Sequence, residues 1–400
     1  MTIANKKVNI KQRVIFRLLL VLAILFPAKL SSEIIKDNFY SFSLDIPEGY
    51  KLGDSSSDGT SYLFVHPNNQ VQLAIKIYDN QDFKTAPSAL ENALNKLKAS
   101  SSTDNFSWNN SLCAISDFVF QLDKSYSGWA VAAPLQKTNA YITAICFAPS
   151  NKRQACEQFI MSTLNSLCVN DEYYCTPGII VSYAYPKEGK KEIKLNINNN
   201  KISTTLDNSD IDASNFLIDL EFSVLKLYSK HNLWKEAWTR YYRMIYRDSF
   251  ERLNPAISDI FSVLYAEAKR KNPKSQDLYV AQSLLSWVQT FEYKRNNQTA
   301  NTSDFTSLPA MLSGDGNDCD SRSLFICMCM RCMGYESLLL VSPEYSHALA
   351  AVEMDEPGQK YVFGDTGREF LMGETTAKVT WGMIAQDQAD RTKWIPILLP

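Results

Sequence analysis

The sequence predicts an α+β protein of two domains, on three observations. At 400 residues the chain exceeds what one ordinary hydrophobic core organises. Short alternating runs dominate up to about residue 170, whereas from residue 213 apolar residues recur at helical spacing. A last stretch, opening near Cys319, reads as one apolar helix followed by strands. Composition agrees: 45% hydrophobic and 21% charged residues describe a globular chain and exclude disorder or a multi-span membrane protein.

Residues 1–32 carry Lys6, Lys7, Lys11, Arg13, Arg17 and Lys29 and no acid, and Leu18 to Phe26 is an apolar run of nine residues. A basic start, a short apolar run and the small residues Ala28, Ser31 and Ser32 spell an export signal. Spanning a bilayer takes roughly 20 residues, and an uncleaved N-terminal anchor is the alternative. Without these residues 35 Lys and Arg face 43 Asp and Glu, a net charge of −8. That balance argues against nucleic-acid or anionic-lipid binding.

Residues 33–170 read as an α/β domain. Strand-like runs appear at residues 39–46, 62–66, 71–78, 114–122, 128–133 and 141–147. Leu90, Ala93, Leu94 and Leu97 mark a helix over 88–97, and a second closes the domain over 152–167. The phrase from Phe42 to Tyr50 (FSLDIPEGY) resembles the entry of PsbP-like α/β sandwich domains. That resemblance implies a sandwich and carries no catalytic residue.

Residues 171–212 form a β-rich junction, in which Ile193 to Ile202 alternates around an Asn-rich turn as a hairpin does. The domain over 213–400 opens with helices. Trp234, Trp238, Tyr241, Tyr242 and Ile245 form an aromatic stripe that either packs a core or stacks a sugar, core packing being the commoner case. Asn254-Pro255 is expected to start a new helix as N-cap and first-turn proline. Another helix is expected over 276–293. Asn297 and Asn301, in a polar loop, match the glycosylation sequon. Most of the nine cysteines ride apolar elements and read as inert core residues. Cys329 and Cys332 lack a second ligand pair, so neither a metal nor a cofactor is expected.

The chemistry concentrates in Gly314-Asp315-Gly316-Asn317-Asp318-Cys319-Asp320-Ser321, in Ser346-His347-Ala348, and in Gly364-Asp365-Thr366. A turn delivers Cys319 to the start of an apolar helix over 321–333, where the helix field favours thiolate. Asp318 and Asp320 oppose it, so His347 is the expected cationic partner. Strands are expected over 335–341, 347–354 and 360–365. His347 opens the second and Asp365 closes the third, and an antiparallel pair would set these ends side by side. Asp365 would then orient the imidazole, with Glu353 and Asp355 as alternative carboxylates. His66 and His231 read as ordinary histidines.

These motifs, with the helix end Arg331-Cys332-Met333-Gly334-Tyr335, resemble the transglutaminase-like superfamily, nearest its bacterial and archaeal cysteine-peptidase-like branch, over residues 280–370. The resemblance implies a papain/transglutaminase-like catalytic domain: a Cys helix packed on an antiparallel sheet that bears His and Asp. It makes Cys319 the nucleophile, His347 the general base and acid, and Asp365 the orienting carboxylate. It also makes Gln289, in Ser286-Trp287-Val288-Gln289, an oxyanion donor or else a structural glutamine. The expected function is an exported, periplasmic or extracellular thiol hydrolase acting on protein or peptide substrates, envelope components among them. A protein cross-linking acyl transferase and a non-catalytic binding module on the same fold are the alternatives.

Overall fold

The computed structural model describes residues 34–68, 70–170, 175–295, 299 and 302–400. The expected export segment and both sequons lie outside the described residues. In chain order the strands begin with β1 (Ile35–Asp37), β2 (Phe42–Leu44), β3 (Lys51–Ser55), β4 (Ser61–His66) and β5 (Val71–Asp79). Helix α1 (Ala86–Lys96) precedes β6 (Ser100–Trp108), β7 (Ser111–Gln121), β8 (Ser125–Leu135) and β9 (Ala140–Pro149). Then come α2 (Arg153–Asn165), β10 (Leu167–Cys168), α3 (Ile179–Ala184), and the hairpin β11 (Lys190–Ile197) and β12 (Asn200–Asp207). Five helices follow: α4 (Asp210–Lys226), α5 (Trp234–Lys271), α6 (Gln276–Val288), α7 (Leu308–Ser313) and α8 (Cys319–Cys332). The chain closes with β13 (Ser337–Ser342), β14 (His347–Val352), β15 (Lys360–Phe363), β16 (Arg368–Gly373) and β17 (Ile395–Leu398). The fold is α+β, in two compact units. One holds Gly49–Leu164 with residues 34–41; the other holds Phe42–Glu48 and the described residues from Asn165 to Pro400.

In the first unit, β3 to β9 form a seven-stranded antiparallel sheet in the order β3-β4-β5-β9-β8-β7-β6. Leu90 and Leu94 of α1 pack on Phe118, Phe120 and Phe147. Thr85 caps that helix, its hydroxyl accepting the Ser88 N–H. Phe159 of α2 meets Tyr50 and His66. His66 is thus a core residue, wedged against Gly49, whose φ of +97° and missing Cβ leave room for the imidazole.

The second unit includes the expected junction. Ile193, Leu195, Ile197, Ile202 and Leu206 of the hairpin are buried in the same core as α5 and α8. The expected break at Asn254-Pro255 is absent: α5 runs 38 residues straight through Pro255. An interior proline costs about 3 kcal/mol. Burying Leu253, Ile257, Ile260 and Leu264 contributes about 1.5–3 kcal/mol apiece, so tertiary packing outweighs the local signal.

A five-stranded antiparallel sheet in the order β15-β16-β14-β13-β17 positions the candidate site. One face, with Leu339, Val341, Ala348, Ala350 and Val352, packs under α8. The other buries Leu338, Leu340, Leu349, Phe370, Met372 and Trp394. Among the described residues no helix is long and apolar enough to cross a membrane.

Candidate active site

Helix α7 stops at Gly314, whose φ of +87° is the left-handed conformation glycine adopts freely. The chain then turns into Asp318, the N-cap of α8. Its carboxylate accepts the Ser321 N–H at 2.7 Å, and the Ser321 hydroxyl accepts the Asp318 N–H at 2.9 Å, a reciprocal capping box. The second Asp318 oxygen accepts the Thr306 N–H at 2.9 Å. Asp318 is therefore structural, and it makes Cys319 the first helical residue. Burial, reinforced by Asp320, pushes the Asp318 carboxyl up to about 7.

Arg322, one turn further on, fixes the loops around this helix start. It is 1% exposed and donates to Asn317 Oδ1 at 2.7 Å, the Thr375 carbonyl at 3.1 Å and the Phe291 carbonyl at 2.7 Å. Ser323 touches the Thr375 hydroxyl at 3.1 Å and donates to the Ala348 carbonyl at 3.2 Å. The first turn of α8 is thus tied to the start of β14 and to the segment following β16.

His347 opens β14 opposite Ser342, as expected. Its Nε2 lies 2.8 Å from Glu374 Oε2. The other Glu374 oxygen accepts the Thr376 N–H at 2.5 Å and the Thr376 hydroxyl at 2.6 Å. Burial raises the Glu374 carboxyl, but the bonds from His347 and Thr376 outweigh it and hold the group below its ordinary value. An ionised Glu374 can only accept, which assigns the proton to Nε2 and leaves the Nδ1 lone pair as the available base.

The expected carboxylate, Asp365, is misplaced by topology. β16 pairs with β14, and β15 lies beyond it. Lys360 of β15 is level with Leu371 and hence with Val352, so Asp365, following β15, lies at the end of the sheet opposite His347. Glu353 is held by Arg368 at 2.6 Å, and Asp355 is fully exposed, which removes both alternatives. Gln289 is also corrected. Its amide donates to the carbonyls of Glu374 at 2.7 Å and Val379 at 3.0 Å, so both hydrogens are used in holding the Glu374 loop rather than an oxyanion.

Cys319 itself is 4% exposed. Its sulfur contacts Asp320 Oδ1 at 3.5 Å and faces the backbone N–H of Ala348, the residue after His347. The structure brings Cys319 and His347 to neighbouring backbone positions without a hydrogen bond between their side chains. Burial, then Asp320 and Asp318, push the thiol well above its ordinary value, and the Ala348 N–H only partly opposes them. Asp320 accepts from Tyr242 at 3.0 Å, so one member of the aromatic stripe reaches the site from the core. Tyr293, 49% exposed, turns its hydroxyl to the sulfur. His231 accepts its own loop's Leu233 N–H and plays no part. Among the described residues no group of three or more His, Cys, Asp or Glu side chains could hold a metal ion.

Glu374, Tyr242 and Tyr293 escape a reading of the sequence alone. Glu374 could have been found by treating Arg368–Gly373 as a strand, because the acid then falls at a strand end as His347 does.

Asp320→Asn removes the charge nearest the sulfur. Iodoacetamide alkylation of Cys319 at pH 7, read by peptide mass spectrometry, is expected to speed up by about tenfold for each unit the thiol pKa falls. An unchanged rate would show that the Asp320 charge does not set the thiol.

No protein-family model matches the chain, and no curated protein does. Among solved structures, the cyanobacterial PsbP (CyanoP) of Synechocystis sp. PCC 6803 aligns at 11% identity and a TM-score of 0.29, over 37% of this chain and 98% of that one. The Ran-binding protein Mog1p of Saccharomyces cerevisiae aligns at 10% and 0.28, over 35% and 96%. A Bacteroides thetaiotaomicron structure aligns at 11% and 0.20, over 56% and 79%. At these scores none of them bears on the fold or function of this chain.

Proposed function

We propose that this protein is an exported cysteine hydrolase of transglutaminase-like type, cleaving amide bonds in protein or peptide substrates through a thioester. Cys319 is the nucleophile, His347 the general base and acid, and Glu374 replaces Asp365 as the orienting carboxylate. The observation that carries the reading is the His347–Glu374 bond at the strand end whose next residue, Ala348, turns its N–H to the Cys319 sulfur. A Cys helix laid on an antiparallel sheet supports the papain-like arrangement. Export rests on the pattern of residues 1–32.

In the acylation step His347 Nδ1 takes the thiol proton as sulfur bonds to the carbonyl carbon. The imidazolium then returns that proton to the amine as the C–N bond breaks. Water, deprotonated by the same nitrogen, hydrolyses the thioester and restores the thiol. The raised thiol implies proton transfer during attack rather than a resting thiolate. Catalytic hydrogen bonds loose in the free enzyme tighten around substrate, which suits the unjoined pair.

The test is 4-nitrophenyl acetate. The native chain should release nitrophenolate and carry an acetyl group on Cys319, detected by peptide mass spectrometry. Cys319→Ala should abolish both and keep the native circular dichroism. Turnover retained in that variant would end the reading. The buried, raised thiol is the observation that favours the alternative, a binding module, and a native chain that never acylates would establish that alternative.

A further inference from the structure

With Gln289 committed to two carbonyls, the oxyanion of the proposed hydrolase lacks its expected side-chain donor. The loop leaving α6 offers another. Asn317 and Lys294 exchange backbone hydrogen bonds at 2.9 and 3.1 Å, and Asn317 Nδ2 donates to the Glu292 carbonyl at 2.8 Å. These bonds clip residues 292–294 to the turn that carries the nucleophile. The Arg322 guanidinium lies 5.5 Å from the centroid of the Tyr293 ring and supports it by cation–π attraction. The hydroxyl end of that ring faces the Cys319 sulfur.

We infer that Tyr293 is a catalytic residue of the proposed reaction, its hydroxyl donating to the carbonyl oxygen as that oxygen gains charge, together with the backbone N–H of Cys319. The inference rests on the hydrolase reading. When sulfur bonds to a carbonyl carbon, the oxyanion forms about 3 Å from the sulfur, within reach of a donor already turned toward it. The first-turn N–H of a helix has no intrahelical acceptor, which frees that of Cys319 for the same oxygen. Burial and the neighbouring sulfur hold the tyrosine above its ordinary value, so it remains a donor at neutral and mildly alkaline pH. No proton is transferred: the hydroxyl lends a hydrogen bond while the C–S bond forms, and again while water attacks the thioester.

Tyr293→Phe tests this with 4-nitrophenyl acetate. Acylation and deacylation both pass through an oxyanion, and both are expected to slow by about 10²–10³-fold. Iodoacetamide attack on Cys319 forms no oxyanion, and its rate is expected to stay within about twofold of the native value. Wild-type rates in either half-reaction, or an alkylation rate falling in parallel with turnover, would overturn the inference. A native chain with no Cys319-dependent acylation would instead overturn the hydrolase reading, and this inference with it. The two failures are separate, because the first requires an active native enzyme.

Discussion

Glu374→Gln is expected to lower Cys319-dependent kcat/KM for 4-nitrophenyl acetate by about 10²–10⁴-fold, the range general acid–base groups supply. Asp365→Asn should leave it unchanged. The glutamine is isosteric, so the loss comes from hydrogen-bond polarity. Thr376 donates both its N–H and its hydroxyl to one Glu374 oxygen, and the backbone N–H cannot change direction. A glutamine must offer its carbonyl oxygen there, which turns its NH₂ toward His347 Nε2. That nitrogen becomes an acceptor, the proton moves to Nδ1, and the base the proposed reaction needs is lost. Glu374→Ala frees the imidazole to choose either tautomer and is expected to be no worse than the glutamine. Glutamine activity equal to the native value would refute the assigned tautomer. A loss in Asp365→Asn would return the orienting role to the residue the sequence suggested.

The route to that wrong residue shows where sequence reasoning stops. The helix from Cys319, the strands after it and the position of His347 all follow from apolar periodicity and turn residues, and the structure places them within a few residues of expectation. The β11–β12 hairpin was legible because Asn198 and Asn199 tolerate the positive φ of 51° and 64° that its turn requires. β16 was missed, since Arg368 and Glu369 open it with charges. Without β16, β15 would neighbour β14. One omitted strand therefore transfers the carboxylate from one end of the sheet to the other. β6 was missed for a related reason: its Ser-, Asp- and Asn-rich text lies exposed at a sheet edge, where pairing is fixed by its neighbour β7 rather than by burial. Gln289 was found on the right helix, but the direction of its amide depends on which carbonyls a loop 85 residues later presents. β16 and β6 are hidden by their own local text, whereas Asp365 and Gln289 turn on which partner an element meets.

Asp45→Ala is expected to destabilise the protein by about 3–5 kcal/mol, the largest stability effect of any single change considered. The segment Phe42–Glu48 belongs to the second unit, and Asp45 shows why. Its carboxylate takes a bidentate grip from Arg243 at 2.7 and 2.9 Å, and its carbonyl accepts from Arg240, which also pairs with Glu221. Asp45 and Arg240 are each about 3% exposed, and Arg243 about 9%. Removing Asp45 takes a bidentate carboxylate from the buried Arg243 guanidinium, and desolvation rather than lost attraction sets the cost. The double change Asp45→Leu with Arg243→Met removes both charges together and retains the Arg240–Glu221 pair, so it should destabilise less than Asp45→Ala alone. Urea midpoints for the three proteins decide the matter, compared at equal m-value. A double variant less stable than the single would mean that Asp45 acts chiefly through Arg240 and the wider network.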